Sequence, residues 1–233
     1  MSKPAAPRSS APRAAAEQGS AFDPGCTRCP RLADFLRANR VKLPAYHNAP
    51  VPPFGVARPR LLIVGLAPGL HGANQTGRPF TGDFAGLLLY ETLFELGLAT
   101  RATSAAADDG LELFGTRITN TVKCVPPQNK PLPAEIRSCN RYLATELRQL
   151  TSVRAILALG RVAHDGVLLA LGRPRSSALF GHARVHELGN GQTLIDSYHC
   201  SRYNTQTRRL TPDMFRDVLR HAALHAGLRV SGP

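Results

Sequence analysis

Residues 60–69 read Arg-Leu-Leu-Ile-Val-Gly-Leu-Ala-Pro-Gly, and this stretch decides the fold. The run Leu61-Leu62-Ile63-Val64 is apolar without alternation, so it describes a strand buried on both faces. The turn Gly65-Leu66-Ala67-Pro68-Gly69 follows directly. Glycine permits close backbone approach and positive φ, so backbone N–H groups there can face a ligand. No Gly-Lys-Ser/Thr follows, which excludes a Walker A loop, and the Gly-x-Gly-x-x-Gly spacing of a dinucleotide fingerprint is missing. Taken alone, the turn also fits an ordinary strand-to-helix connection.

The same alternation extends outward. Residues 84–96 carry apolar side chains at helical spacing and stop at Gly97. Residues 117–123 are strand-like, 133–150 helical, 153–159 another buried strand, 161–171 a helix and 194–198 a last strand. A closing helix runs over 212–226, with Thr211 as N-cap and Pro212 at its first position. Strands alternating with helices predict an α/β fold whose mostly parallel sheet is covered on both faces. Ligands in such sheets sit beyond the carboxyl ends of the strands. Residues 44–59 are a Pro-rich extended loop, and residues 1–20 a disordered basic tail. The remaining residues, 21–233, are expected to form a single domain.

Composition narrows the function. Hydrophobic residues make up 43%, enough for a sizeable core. Lys and Arg number 29 against 16 Asp and Glu, a net charge of +13 that favours a polyanion, most simply nucleic acid. No apolar run of about 18 residues escapes a charge, so no membrane span is expected. The first twenty residues hold no apolar signal core, which points to the cytoplasm.

Five cysteines in a cytoplasmic chain argue for metal or reactive thiols rather than disulfides. Cys26-Thr-Arg-Cys29 has chelating spacing, and Cys124 and Cys139 are separated by fourteen residues. A zinc ribbon would offer a second Cys-x-x-Cys. Four thiolates with one wide pair suit an iron–sulfur cluster as well as zinc, and spacing leaves the metal open. Cys200 reads as a small, partly buried residue.

Three polar features stand out. Asp83 precedes the 84–96 helix and can cap it. Asn120 lies in a strand-like segment, where a buried amide needs partners and can match the edge of a base. The segment from His199 to Thr211 gathers small donors, one aromatic ring and three arginines, a composition suited to phosphate contacts.

Together these residues resemble family 5 uracil-DNA glycosylases, the UDGb type. The resemblance rests on Gly65–Gly69, Gly77-Arg-Pro-Phe80-Thr-Gly-Asp83, Asn120, Cys124-Val-Pro-Pro-Gln-Asn-Lys-Pro131 and His199-x-Ser-Arg-x-Asn204-Thr-Gln-Thr. It covers residues 25–211. The sister family 4 carries Glu where this chain has Leu66, so the pattern is that of family 5. Cys200, Tyr203 and Arg208-Arg209 depart from it.

The resemblance implies a three-layer α/β/α sandwich around a four-stranded parallel sheet. It implies a [4Fe–4S] cluster on Cys26, Cys29, Cys124 and Cys139. It also implies excision of uracil, and of other deaminated bases such as hypoxanthine, from DNA, by a monomer. An extruded base is then expected to stack on Phe80 and to pair with Asn120. The turn Gly65, Leu66, Ala67, Pro68 and Gly69 is expected to touch a base oxygen through its backbone N–H groups. His199 donates to the anion that develops on the base. Asp83 orients water or offsets charge on the sugar. Ser201, Arg202, Tyr203 and Asn204, with Lys130 and Arg161, grip the DNA, and Tyr203 fills the gap left by the flipped base. The competing readings are a non-catalytic iron–sulfur protein that binds damaged DNA or RNA, a redox protein, and an α/β nucleotide-binding protein with a zinc knot.

Overall fold

The computed structural model describes residues 22–189 and 191–231. The expected basic tail lies outside them. In chain order the elements are α1 (Pro30–Lys42), β1 (Phe54–Gly55), β2 (Leu61–Gly65), α2 (Ala73–Thr76), α3 (Phe84–Glu95) and β3 (Thr116–Asn120). They continue with α4 (Pro133–Gln149), β4 (Ala155–Leu159), α5 (Arg161–Ala170), β5 (Val185–Glu187), β6 (Thr193–Ser197), α6 (Arg202–Gln206) and α7 (Pro212–His225).

The strands form one sheet in the order β1-β3-β2-β4-β6-β5. The inner four, β3, β2, β4 and β6, run parallel, with Ile63 paired to Ile118 on one side and Leu157 on the other. They are the four strands expected from the apolar runs. The sheet nevertheless has six strands, because β1 and β5 add antiparallel edges. Both corrections have a physical cause. Two-residue β1 sits in the Pro-rich loop, and β5 is a three-residue edge with exposed Val185 and Glu187, so neither carries an apolar run.

Period-2 alternation along the strands divides the core into two layers. Leu61, Ile63, Ile118 and Leu157 face one side and pack with Leu89 and Leu93 of α3 and Phe215 and Leu219 of α7. Leu62, Val64, Ile156 and Leu194 face the other and pack with Leu143 of α4 and Val167 of α5. This is the expected three-layer sandwich. Each fully buried Leu or Ile contributes about 2 kcal/mol of transfer free energy. A third, smaller cluster joins Leu32 and Leu36 of α1 to Val122, Val125 and Cys139, beyond the carboxyl end of β3. Among the described residues no helix is long and apolar enough to cross a membrane.

Candidate active site and cysteine pocket

The carboxyl ends of β2, β3 and β6 open into a cleft of about 400 Å³, within the size range of ligand pockets. Its floor depends on Gly65. A Cβ at that position would lie 2.4 Å from Asn120 Oδ1 and 2.6 Å from the Phe80 ring, so only glycine lets both side chains meet the strand end. Asn120 pairs with Gly65 across the sheet and ends β3. Its side chain is 4% exposed, lines the cleft and makes no hydrogen bond among the described residues.

Phe80 lies in the left-handed region at φ 56°. A bulky residue holds that conformation only when its surroundings fix it. Here Tyr90 Oη donates to the Pro79 carbonyl at 2.7 Å, and the Thr81 and Ser104 hydroxyls are 2.6 Å apart. Buried Arg78 donates to Ser104 Oγ, Asp109 Oδ1 and the Ala107 carbonyl, and its guanidinium lies 4.3 Å from the centre of the Phe54 ring. The Phe80 carbonyl approaches α3 where Gly86 leaves room; a Cβ there would sit 1.6 Å from that oxygen.

Asp83 divides its carboxylate. Oδ1 accepts the Gly86 N–H at 2.9 Å and caps α3. Oδ2 faces the Gly69–Gly72 turn and makes no hydrogen bond among the described residues; a Cβ on Gly72 would lie 2.6 Å from it. His199 stands opposite, its ring stacked on Phe80 at 6.0 Å between centroids and an interplanar angle of 27°. Burial lowers the His199 pKa, only partly offset by the negative charge of Asp83, so the ring is neutral at pH 7. The His199 carbonyl accepts Asn204 Nδ2 at 2.8 Å, which fixes the turn into α6. Arg202 places its guanidinium 5.2 Å from the centre of the Phe84 ring at the cleft mouth.

The four cysteines of the expected set line a second pocket. Cys29 is the N-cap position of α1, Cys26 precedes it, Cys124 follows β3 and Cys139 sits in α4. Lys123 N–H donates to Cys139 Sγ at 3.3 Å. Burial, followed by the charges of neighbouring thiols, pushes Cys124 up to about 12. Burial likewise pushes Cys139 up to about 11. Thiolates in this pocket therefore need a cationic centre to compensate them, and the donor set fits one. Cys200 is instead fully buried in the main core, its Sγ 3.4 Å from the Ala85 carbonyl.

A profile described as the uracil DNA glycosylase superfamily matches residues 52–223. The type-5 uracil-DNA glycosylase of Thermus thermophilus is 45% identical over 208 residues, 87% of this chain and 94% of that protein. That of Mycobacterium tuberculosis is 44% identical over 213 residues, 87% of this chain and 79% of its own. A type-4 uracil-DNA glycosylase of Sulfurisphaera tokodaii is 28% identical over 191 residues, 79% and 80% of the two chains. The chain belongs to the uracil-DNA glycosylase superfamily, in its type-5 branch.

For a glycosylase of this branch, the residues read from sequence are gathered unevenly. Leu66, Ala67, Gly69, Phe80, Asp83, Asn120, His199, Ser201 and Arg202 line the cleft. Gly65 and Pro68 do not; both are buried behind it, and proline has no N–H to offer. Arg161 and Asn204 lie in an adjoining groove that shares His199. Tyr203 is 72% exposed and outside the cleft, and Lys130 is exposed on the loop before α4. Sequence reasoning missed Ala73, Phe84, Ala85 and Asn129 as cleft residues. Adjacency to Asp83 was the available signal for Phe84 and Ala85, and membership of the Cys124–Pro131 motif the signal for Asn129; Ala73 carried none.

Proposed function

We propose that this protein removes uracil from DNA. It flips the base into the cleft and hydrolyses the N-glycosidic bond, leaving an abasic site. The observation that carries the reading is the unpaired Asn120 amide, nearly buried and aimed into a cleft floored by Phe80. That amide opens into the cleft, where it can pair with the donor and acceptor edge of a base. Type-5 relatives named as uracil-DNA glycosylases support the same substrate. Hypoxanthine and other deaminated bases belong to the proposal, as does action by a cytoplasmic monomer.

The base stacks on Phe80 while the Asn120 amide pairs with its edge. Backbone N–H groups of Leu66, Ala67 and Gly69 border the cleft within reach of a base oxygen. As the glycosidic bond breaks, its electron pair leaves with the base and positive charge grows on the sugar. The neutral His199 imidazole donates an N–H toward the developing anion, where a preorganised donor is most effective. Asp83 Oδ2 holds the attacking water and offsets the sugar's charge, while Oδ1 keeps the helix cap. Ser201 and Arg202 at the cleft mouth, with Arg161, Asn204, Lys130 and Tyr203 outside it, contact the strand.

Cys26, Cys29, Cys124 and Cys139 would hold a [4Fe–4S] cluster. All four line one pocket, and four thiolates with one wide pair suit such a cluster. When bound, the cluster supplies a cross-link between the start of α1, the exit of β3 and α4.

The test is a duplex with one uracil opposite guanine, treated with alkali after incubation, alongside hypoxanthine and cytosine duplexes. Iron and sulfide are assayed on the same protein. Cutting at uracil and not at cytosine, by protein carrying about four irons per chain, is the expected result. Iron-loaded protein that binds the uracil duplex and never cuts it overturns the reading in favour of a binding module.

A further inference from the structure

Behind the cleft lies a set of ionisable groups that the mechanism above does not use. Asp196 of β6 is fully buried. Its Oδ1 meets His164 Nδ1 at 2.7 Å, and its Oδ2 meets His186 Nε2 at 3.0 Å and the Gly181 N–H at 3.2 Å. The other nitrogen of His164 faces the Ala178 carbonyl at 3.0 Å. With acceptor oxygens at both ring nitrogens, the His164–Asp196 pair must hold one proton more than a neutral imidazole and a carboxylate carry. The set satisfies itself by hydrogen bonding and acts as an anchor. What it anchors is residues 178–187, the segment that folds over the end of β6.

That segment delivers His182 to a particular place. β6 ends at Ser197, whose carbonyl takes the last ladder bond from Gly160 N–H at 2.8 Å. The next amide, Tyr198 N–H, donates to His182 Nδ1 at 3.2 Å. The imidazole lies flat on the Tyr198 ring, 5.0 Å between centroids and 15° between planes. The residue after Tyr198 is His199. His182 itself is clamped from both sides. Gly181 N–H bonds the Asp196 carboxylate, Ala183 N–H bonds the Asp196 carbonyl at 2.8 Å, and Asp196 N–H bonds the Arg184 carbonyl at 3.0 Å. Ala183 holds φ 59°, a conformation alanine adopts only where its neighbours impose it.

We propose that His182 is a positioning residue for base excision: its Nδ1 accepts the Tyr198 amide and thereby fixes the strand end that carries His199 into the cleft. It does not line the cleft, so it acts through the backbone and not on the base. Burial keeps its imidazole neutral, which leaves the Nδ1 lone pair available to the amide. The inference rests on His199 being the donor to the leaving base.

The experiment measures single-turnover excision from a uracil duplex, and duplex affinity, for His182→Ala, His182→Asn, His199→Ala and the double variant His182→Ala/His199→Ala. Asparagine sets its Oδ1 where Nδ1 stood and restores the acceptor. His182→Ala is expected to slow excision about tenfold or more, with affinity within about twofold, as misplacement of a reacting group does. His182→Asn should recover to within about threefold of wild type, and His182→Ala should cost nothing further once His199 is absent. The proposal is overturned if His182→Ala stays within about twofold of wild type, if asparagine is as slow as alanine, or if the alanine cost is equal in both backgrounds. A His199→Ala protein at wild-type rate overturns the role of His199, and this proposal with it. Slow His199→Ala beside fast His182→Ala overturns this proposal alone.

Discussion

Asp83 caps a helix with one carboxylate oxygen and, in the proposed reaction, serves chemistry with the other. Helix capping needs a single oxygen, and Oδ1 supplies it to Gly86 N–H. The second oxygen is left toward the cleft. Asp83→Asn keeps an oxygen for the cap and removes the charge, so the two roles separate. Asp83→Asn should melt as wild type does, whereas Asp83→Ala should lose about 1 kcal/mol of stability with its cap. Both should slow single-turnover excision about a hundredfold or more, the scale of a removed acid–base group. Asparagine at wild-type rate would leave Asp83 a cap only. His199 makes a second separable claim. Its pKa is lowered, so the unfolded chain binds a proton first as pH falls through 6.5. Stability from this group is therefore complete above pH 6.5 and is lost below it as the pH approaches the folded value. Imidazole NMR should find His199 neutral at pH 7 with a midpoint below 6.5, and His199→Gln should flatten that part of the stability curve. A midpoint above 6.5 would contradict the burial argument.

At the scale of elements, the 77–83 loop is a rigid support rather than a connection. Burial alone would raise the Asp109 carboxyl, yet Arg78 and the N–H groups of Leu111, Ala105 and Ala106 hold it well below the ordinary carboxylate range. Removing one partner of such a buried pair strands the other. Arg78→Ala should destabilise the fold by about 3 kcal/mol and, by releasing Phe80, slow excision at saturating DNA. Melting and single-turnover rates on the same preparation check both; an unchanged melt would remove the support argument. A depressed carboxyl stabilises only while ionised, so this contribution is complete at pH 7 and fades below about pH 4. None of this network was legible in the sequence, because Arg78, Ser104 and Asp109 meet only through the tertiary path of the chain. What was legible were the elements with uniform patterns. The runs 61–64 and 155–159 are apolar throughout, and each parallel strand lies within a residue or three of its expected ends. α1 was hidden: Leu32, Ala33 and Leu36 are its buried apolar residues, and Asn39 interrupts the stripe. The cleft was half legible for a related reason. Asp83, Asn120 and His199 advertise chemistry, whereas Ala73 and Ala85 contribute only a surface whose shape no motif encodes.

For the whole molecule, charge and site have to agree on one ligand. A net charge of +13 draws any polyanion, so it sets affinity and not selectivity. Under the proposed function selectivity belongs to the cleft, where the apolar floor would exclude water from a single base and the Asn120 amide would read its edge. These contributions should respond differently to salt. Arg202 lies at the cleft mouth and Arg161 and Arg209 in the adjoining groove, and under the proposed function these cations would meet phosphates beside the flipped nucleotide. Each phosphate contact adds about 0.9 to the slope of log affinity against log salt on duplex DNA. Affinity for uracil and cytosine duplexes should therefore fall together and steeply as salt rises. Arg161→Ala should lower that slope by about one without changing the ratio between the two duplexes. The single-turnover rate at saturating DNA should stay level, because in the proposed reaction Asn120, His199 and Phe80 meet the base inside a cleft that bulk ions screen poorly. A rate at saturation that falls with salt as steeply as affinity does would mean that surface charge, and not the cleft, limits the chemical step.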